Sequence, residues 1–193
     1  TMRFLSNEIA FFNSSRENME DTEIARELLK KAISLDKNLI VARVWLGRTY
    51  YKTGDYDNAM KIYKEAFKLA EEIGNKHGIS FSLIGIGNVY SKEKNYENAL
   101  DCYTRALKIK EEIGDKRGMG NSLNNIGVVY RNKGDYDKAL DYYGRSLAID
   151  EELGDKRGMG ASLGNIGAVY RNKGDYKKAL DYYGRSLAID EEL

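Results

Sequence analysis

The chain has 193 residues, with 31 Lys+Arg against 30 Asp+Glu, a formal net charge of +1 and no proline. That balance argues against a bulk polyanion such as nucleic acid as the partner. No stretch approaches 18 consecutive apolar residues, so no membrane span is expected. One cysteine, Cys102, excludes an internal disulfide and favours a reducing compartment, with the cytoplasm as the default.

The start, Thr1-Met2-Arg3-Phe4, lacks a long apolar signal region, so the glycosylation sequon Asn13-Ser14-Ser15 is discounted. A first helix is expected around Phe4 to Ser14. It is degenerate, with Asn13 and Arg16 where later units carry glycine and tyrosine. Asp21 to Asp36 is expected as its partner, because Ala25 and Ala32 match Ala59 and Ala66 at a spacing of 34. A 40-residue period then takes over: Gly47, Gly87, Gly127 and Gly167 recur on it, as do Tyr50, Tyr90, Tyr130 and Tyr170, and Ala59, Ala99, Ala139 and Ala179. Such a period marks an array in which each unit packs on its neighbours. The units are 1–36, 37–74, 75–114, 115–154 and 155–193.

Each unit holds two helical patterns. Leu123, Ile126, Gly127 and Tyr130 form one apolar stripe near a period of 3.6, and Ala139, Leu140, Tyr143, Ser146, Leu147 and Ile149 form the other. Between them Gly134-Asp135 and Gly174-Asp175 supply a helix end and the next N-cap; Asn95 caps in the third unit. The fold expected is all-α, a right-handed superhelical solenoid of about five antiparallel helical hairpins. Gly127, Gly167, Ala139 and Ala179 let paired helices approach closely, with tyrosines filling the space around them. Gly144 and Gly184 sit inside helices, as weak points or as close contacts; the sequence leaves both open. Arg131–Leu153 and Arg171–Leu193 differ only at Asp137 versus Lys177.

No catalytic residue, cofactor or metal site is expected. His77 has no second ligand or nucleophile beside it and reads as a linker residue. Cys102 stands where later units have Tyr142 and Tyr182 and reads as packing. Gly158-Met159-Gly160 with Gly164 fails both phosphate-loop spacings and recurs as Gly118-Met119-Gly120 at a helix start. Glu111-Glu112 and Glu151-Glu152 are adjacent in sequence and point to different sides of a helix.

Leu123, Ile126, Gly127, Tyr130, Gly134, Asp135, Tyr136, Ala139, Tyr143 and Ser146 together resemble the tetratricopeptide repeat family, and the resemblance covers about four-fifths of the chain. The usual repeat of that family is 34 residues long with a proline near its end. Here the proline is missing, and six extra residues lie in segments such as Glu112 to Arg117. This long form is similar to the repeats of kinesin light chain and of the LGN/Pins polarity adaptors. It implies helices longer than usual. The degenerate opening unit is also similar to repeats of bacterial signalling proteins that carry a kinase or cyclase domain upstream.

The resemblance implies that the first helix of each hairpin lines a concave groove. The groove positions carried over are Val41, Val44, Trp45, Arg48 and Lys52; Phe81, Ile84, Asn88 and Lys92; Asn121, Asn124, Asn125, Val128, Arg131 and Asn132; and Asn165, Ala168, Arg171 and Asn172. The set is rich in Asn, Arg and Lys and contains no acid. Carboxamides bond to a peptide backbone in both directions, and arginine clamps carboxylates. Trp45 and Phe81 would supply apolar anchors. The implied function is a non-catalytic scaffold that binds a protein or peptide segment, acidic in character. Alternatives remain: the Asn and Arg side chains serve only solubility, Trp45 only packs on the first hairpin, the chain is a structural self-assembling module, or it is the sensor arm of a larger signalling protein. The pattern stops at Leu193 with no polar terminal helix, which predicts end-to-end self-association through the last hairpin.

Overall fold

The computed structural model describes residues 19–191; the first helix expected around Phe4 to Ser14 lies outside them. The described residues form helices α1 (Met19–Leu35), α2 (Ile40–Lys52), α3 (Tyr56–Glu72), α4 (Lys76–Lys92), α5 (Tyr96–Glu112), α6 (Lys116–Lys133), α7 (Tyr136–Leu153), α8 (Lys156–Asn172) and α9 (Tyr176–Glu191). From α3 to α8 each helix is 17 or 18 residues long. Links of two or three residues from α2 onward force each helix to reverse on the one before it. The helices fall into two compact units, one running to Val89 and one from Tyr90.

One device ends and starts helices at seven junctions. At the first, Gly54 adopts φ +80°; its N–H bonds to the Tyr51 carbonyl at 3.1 Å, and the Asp55 N–H bonds to the Tyr50 carbonyl at 3.0 Å. This pair of bonds satisfies carbonyls that the helix end leaves open. Asp55 then accepts the Asn58 N–H at 3.2 Å and caps α3. Asn75, Asn95, Asp115, Asp135, Asp155 and Asp175 repeat both roles. Lys94, φ 60°, holds the left-handed position that glycine fills elsewhere. His77 lies in the first turn of α4 and is exposed, so the segment read as a linker is helical.

In the first unit, Leu29, Ala32, Ala42 and Leu46 join α1 to α2, and Ile40, Ala66 and Ala70 join α2 to α3. Tyr63 on α3 is buried between two successive first helices. A Cβ on Gly47 of α2 would stand 2.7 Å from its ring, and one on Gly85 of α4 only 2.4 Å. In the second unit Tyr143 is buried with Ala139, Ile166 and Val169, and a Cβ on Gly127 would stand 2.7 Å from its ring. Gly167 meets Tyr183 in the same way, at 2.9 Å. Burial pushes the Tyr143 phenol up to about 12. Gly144 and Gly184 are exposed and meet nothing within 4 Å, which settles them as weak points in their helices.

The junctions between hairpins vary at one buried place. Ala70, Lys110 and Asp150 each face a glycine at the start of the following helix: Gly78, Gly118 and Gly158. Lys110 is fully buried, and its Nζ donates to Asp115 at 2.7 Å. Asp150 is nearly buried and accepts the Ser162 hydroxyl at 3.1 Å. Burial pushes the Asp150 carboxyl above its usual 3.8, with Asp155 adding to the rise, while the Ser162 and Ser146 hydroxyls pull it down.

The packing yields two sets of predictions, the first on glycine contacts. Gly127→Ala should lower the urea midpoint by the equivalent of about 1–3 kcal/mol, through overlap with Tyr143. Gly144→Ala should raise it by roughly 0.5–1 kcal/mol, because alanine meets no neighbour there. The second concerns pH. A carboxyl whose folded pKa is raised is most favourable when protonated, and that stability is lost as pH rises from 3.8 through the folded value. Asp150→Asn should therefore raise the melting temperature at pH 7, and its advantage should shrink on acidification towards pH 3.8. A variant that melts lower at neutral pH would contradict this.

Candidate interaction surface

The helices α2, α4, α6 and α8 each place one face in the core and leave another open. In the first unit, Val41, Trp45, Arg48 and Lys52 recur at spacings of four and three along one side of α2. Val41, Arg48 and Lys52 are exposed, while Val44 and Trp45 are half-buried. Trp45 rests on the cluster of Leu29, Ala32, Ala42 and Leu46, and the Arg48 guanidinium lies 5.0 Å over its ring. On α4, Phe81 is exposed, and Ile84 and Asn88 are half-buried. The first unit thus offers apolar side chains and cations from these positions.

The second unit has a different character. The Arg131 guanidinium donates to Asn165 Oδ1 at 3.1 Å, and Asn165 Nδ2 donates to Asn124 Oδ1 at 2.8 Å. This chain of bonds crosses from the C-terminal part of α6 to α8 and back to the middle of α6. It links three half-buried polar side chains. The guanidinium also acts on the Tyr143 phenol, opposing the rise that burial causes. Asn125 is half-buried; Asn121, Asn132, Arg171 and Asn172 are exposed; and Lys92, at the end of α4, is exposed. Guanidinium N–H groups beyond the one spent on Asn165 are available to an incoming carboxylate. Sequence spacing alone does not reveal this link, since its members are 34 and 41 residues apart.

A second recurring feature lies on the hairpins themselves. Tyr130 stacks on Tyr142 with centroids 5.4 Å apart, Lys138 lies 5.2 Å over Tyr130, and Arg145 lies 5.2 Å over Tyr142. Tyr170, Tyr182, Lys178 and Arg185 repeat the arrangement. The signal available in sequence was the change from Cys102 to Tyr142 and Tyr182 on the 40-residue period. Cys102 itself is buried, and burial pushes its thiol up to about 11, away from the thiolate form that nucleophiles and metal ligands need. Among the described residues no group of three or more His, Cys, Asp or Glu is placed to hold a metal, and no helix is long and apolar enough to cross a membrane.

Comparison with known proteins agrees with this architecture. Among curated proteins none matches the sequence significantly. The chain is similar to BtubC (BKLC) from P. vanneervenii, at 25% identity and a TM-score of 0.73, over 90% of this chain and 73% of that one. It is similar in fold to a Rap protein solved in complex with competence and sporulation factor, at 17% identity and a TM-score of 0.82, over 89% of this chain and 48% of that one. It also resembles a signal transduction ATPase with a tetratricopeptide repeat sensor from Pyrococcus horikoshii, at 23% identity and a TM-score of 0.77, over 87% of this chain and 26% of that one. The family model described as tetratricopeptide repeat matches residues 38–112 and 118–192. The chain belongs to the tetratricopeptide repeat family.

Proposed function

We propose that the chain is a non-catalytic protein-interaction scaffold that holds an acidic peptide segment against its first helices. The observation that carries this reading is the Arg131–Asn165–Asn124 link, which orients a guanidinium and two carboxamides before any ligand arrives. Within the second unit Lys92, Asn121, Asn125, Asn132, Arg171 and Asn172 accompany the link, and the first unit, taken by itself, presents Trp45, Arg48, Lys52, Phe81 and Asn88. All are basic, amide or aromatic, which suits a carboxylate-bearing partner with an extended backbone. A single buried cysteine fits a reducing compartment, and we place the chain in the cytoplasm on that ground.

A second reading is the sensor arm of a larger signalling protein. The repeat sensor named in the Pyrococcus horikoshii ATPase favours it. A self-assembling module is the third; the near-identity of the last two units favours it, since matched surfaces have not diverged.

Arg131→Glu combined with Arg171→Glu tests the surface, and light scattering separates peptide binding from self-assembly. With a fluorescent ten-residue glutamate-rich peptide as probe, the double variant should bind at least tenfold more weakly by anisotropy, while its helical circular dichroism is unchanged. Equal affinity would refute the surface assignment. A light-scattering mass that climbs with concentration, without any peptide binding, would favour self-assembly.

A further inference from the structure

One polar atom in the core of the second unit is left without a bond, and it lies beside the candidate surface. Tyr143 is fully buried, and among the described residues its hydroxyl has no hydrogen-bond partner. A Cβ on Gly127 would stand 2.7, 2.8 and 3.0 Å from Cε1, Cδ1 and Cζ of that ring. The ring therefore runs past the α6 backbone at Gly127, and the hydroxyl extends beyond it. Gly127 lies between Asn124 and Arg131 on one side of α6. Those two residues, with Asn165 of α8, form the linked trio on the surface.

The same tyrosine two repeats earlier has different company. Tyr63 packs its ring against Gly85, whose counterpart beside Tyr143 is Asn165. The counterpart of Arg131 there is Tyr51. The second unit thus places a carboxamide and a guanidinium around the phenol, and the link among them satisfies its own members while leaving the phenol out. A buried hydroxyl with no partner carries a free-energy cost that a ligand atom can remove. Burial pushes the phenol up to about 12, so the oxygen keeps its proton at neutral pH and can donate. The charged group that acts on it is the Arg131 guanidinium, which only donates. An atom that serves both must accept twice, and a carboxylate does so with both of its oxygens.

We propose that Tyr143 is the residue that selects a carboxylate at this surface. Arg131, half-buried, turns onto the acidic side chain of a bound peptide, and the uncovered Tyr143 hydroxyl donates to that same carboxylate. The proposal rests on the acidic-peptide reading and names the group within it that tells an acid from an amide. A glutamine in the same place offers one accepting oxygen and turns an N–H2 towards a guanidinium that has nothing to accept it with. The bond from the phenol is also stronger to a charged acceptor than to a neutral one.

Tyr143→Phe keeps the ring beside Gly127 and removes only the unpartnered hydroxyl. Its melting temperature should equal or exceed that of the wild type. Two labelled ten-residue peptides serve as probes: a glutamate-rich one, and the same sequence with glutamine at every glutamate. By anisotropy, Tyr143→Phe should bind the glutamate peptide about tenfold more weakly, and the glutamine peptide within about twofold of the wild type. In the wild-type chain, isotope-labelled at tyrosine Cζ, the Tyr143 resonance should shift with the glutamate peptide and stay in place with the glutamine peptide. Unchanged glutamate affinity in Tyr143→Phe, an equal loss for both peptides, or an unmoved Cζ resonance would each overturn the proposal. So would a lower melting temperature, because the hydroxyl would then have a partner in the free chain. The acidic-peptide reading survives any of these results if Arg131→Glu with Arg171→Glu still weakens binding. If the wild type binds neither peptide, both fall.

Discussion

The structure depends on a tyrosine ring packed close against a glycine. Tyr63 meets Gly47 and Gly85 at distances no side chain at those positions would permit, and Tyr143 meets Gly127 in the same way. The ring supplies the bulk that the glycine withholds, so helix and partner meet in close contact. Because Tyr63 touches two successive first helices, one side chain closes its own hairpin and receives the next. Apolar demand is thereby met on one side of α2, α4, α6 and α8. Their other side is left for polar and aromatic groups that packing does not require.

The helix junctions make that arrangement repeat with little variation. A residue in the left-handed conformation followed by Asp or Asn closes the carbonyls of one helix and caps the amides of the next. With both ends satisfied inside the link, each hairpin keeps the same geometry, and differences between repeats move to side chains. The buried place occupied by Ala70, Lys110 and Asp150 illustrates this: the backbone is the same, yet an apolar contact, an ion pair and a serine-held carboxyl occupy it in turn. Electrostatic individuality between units lives there and at Asp137 versus Lys177.

Much of this architecture was legible from residue types. Glycine, tyrosine and alanine on one period mark the contacts, and Gly-Asp marks the junctions, because only a few residue types fit a close helix approach or a left-handed turn. At one turn Asn95 marked the cap, but a lysine at position 94 did not announce its φ of 60°. The spacing of Gly144 could not say whether a neighbour approached; that depends on the rotation of α7, and no neighbour does. The candidate surface was legible as a set of positions and not as a network. Arg131, Asn165 and Asn124 join only when α6 and α8 lie side by side, and the order of their bonds follows from rotamers. Trp45 could be weighed as anchor or core from sequence, and it touches the first core cluster while keeping Arg48 over its ring.

The central claim is that the open side of the first helices is the binding face. Side-chain amide and guanidinium resonances of the isotope-labelled chain, followed during titration with the glutamate-rich peptide, test it most directly. The account predicts shifts at the Asn124 and Asn165 amides and at the Arg131 Nε–H, with the neighbouring backbone of α6 and α8. Shifts confined to α7 and α9, with those three side chains unmoved, would contradict it.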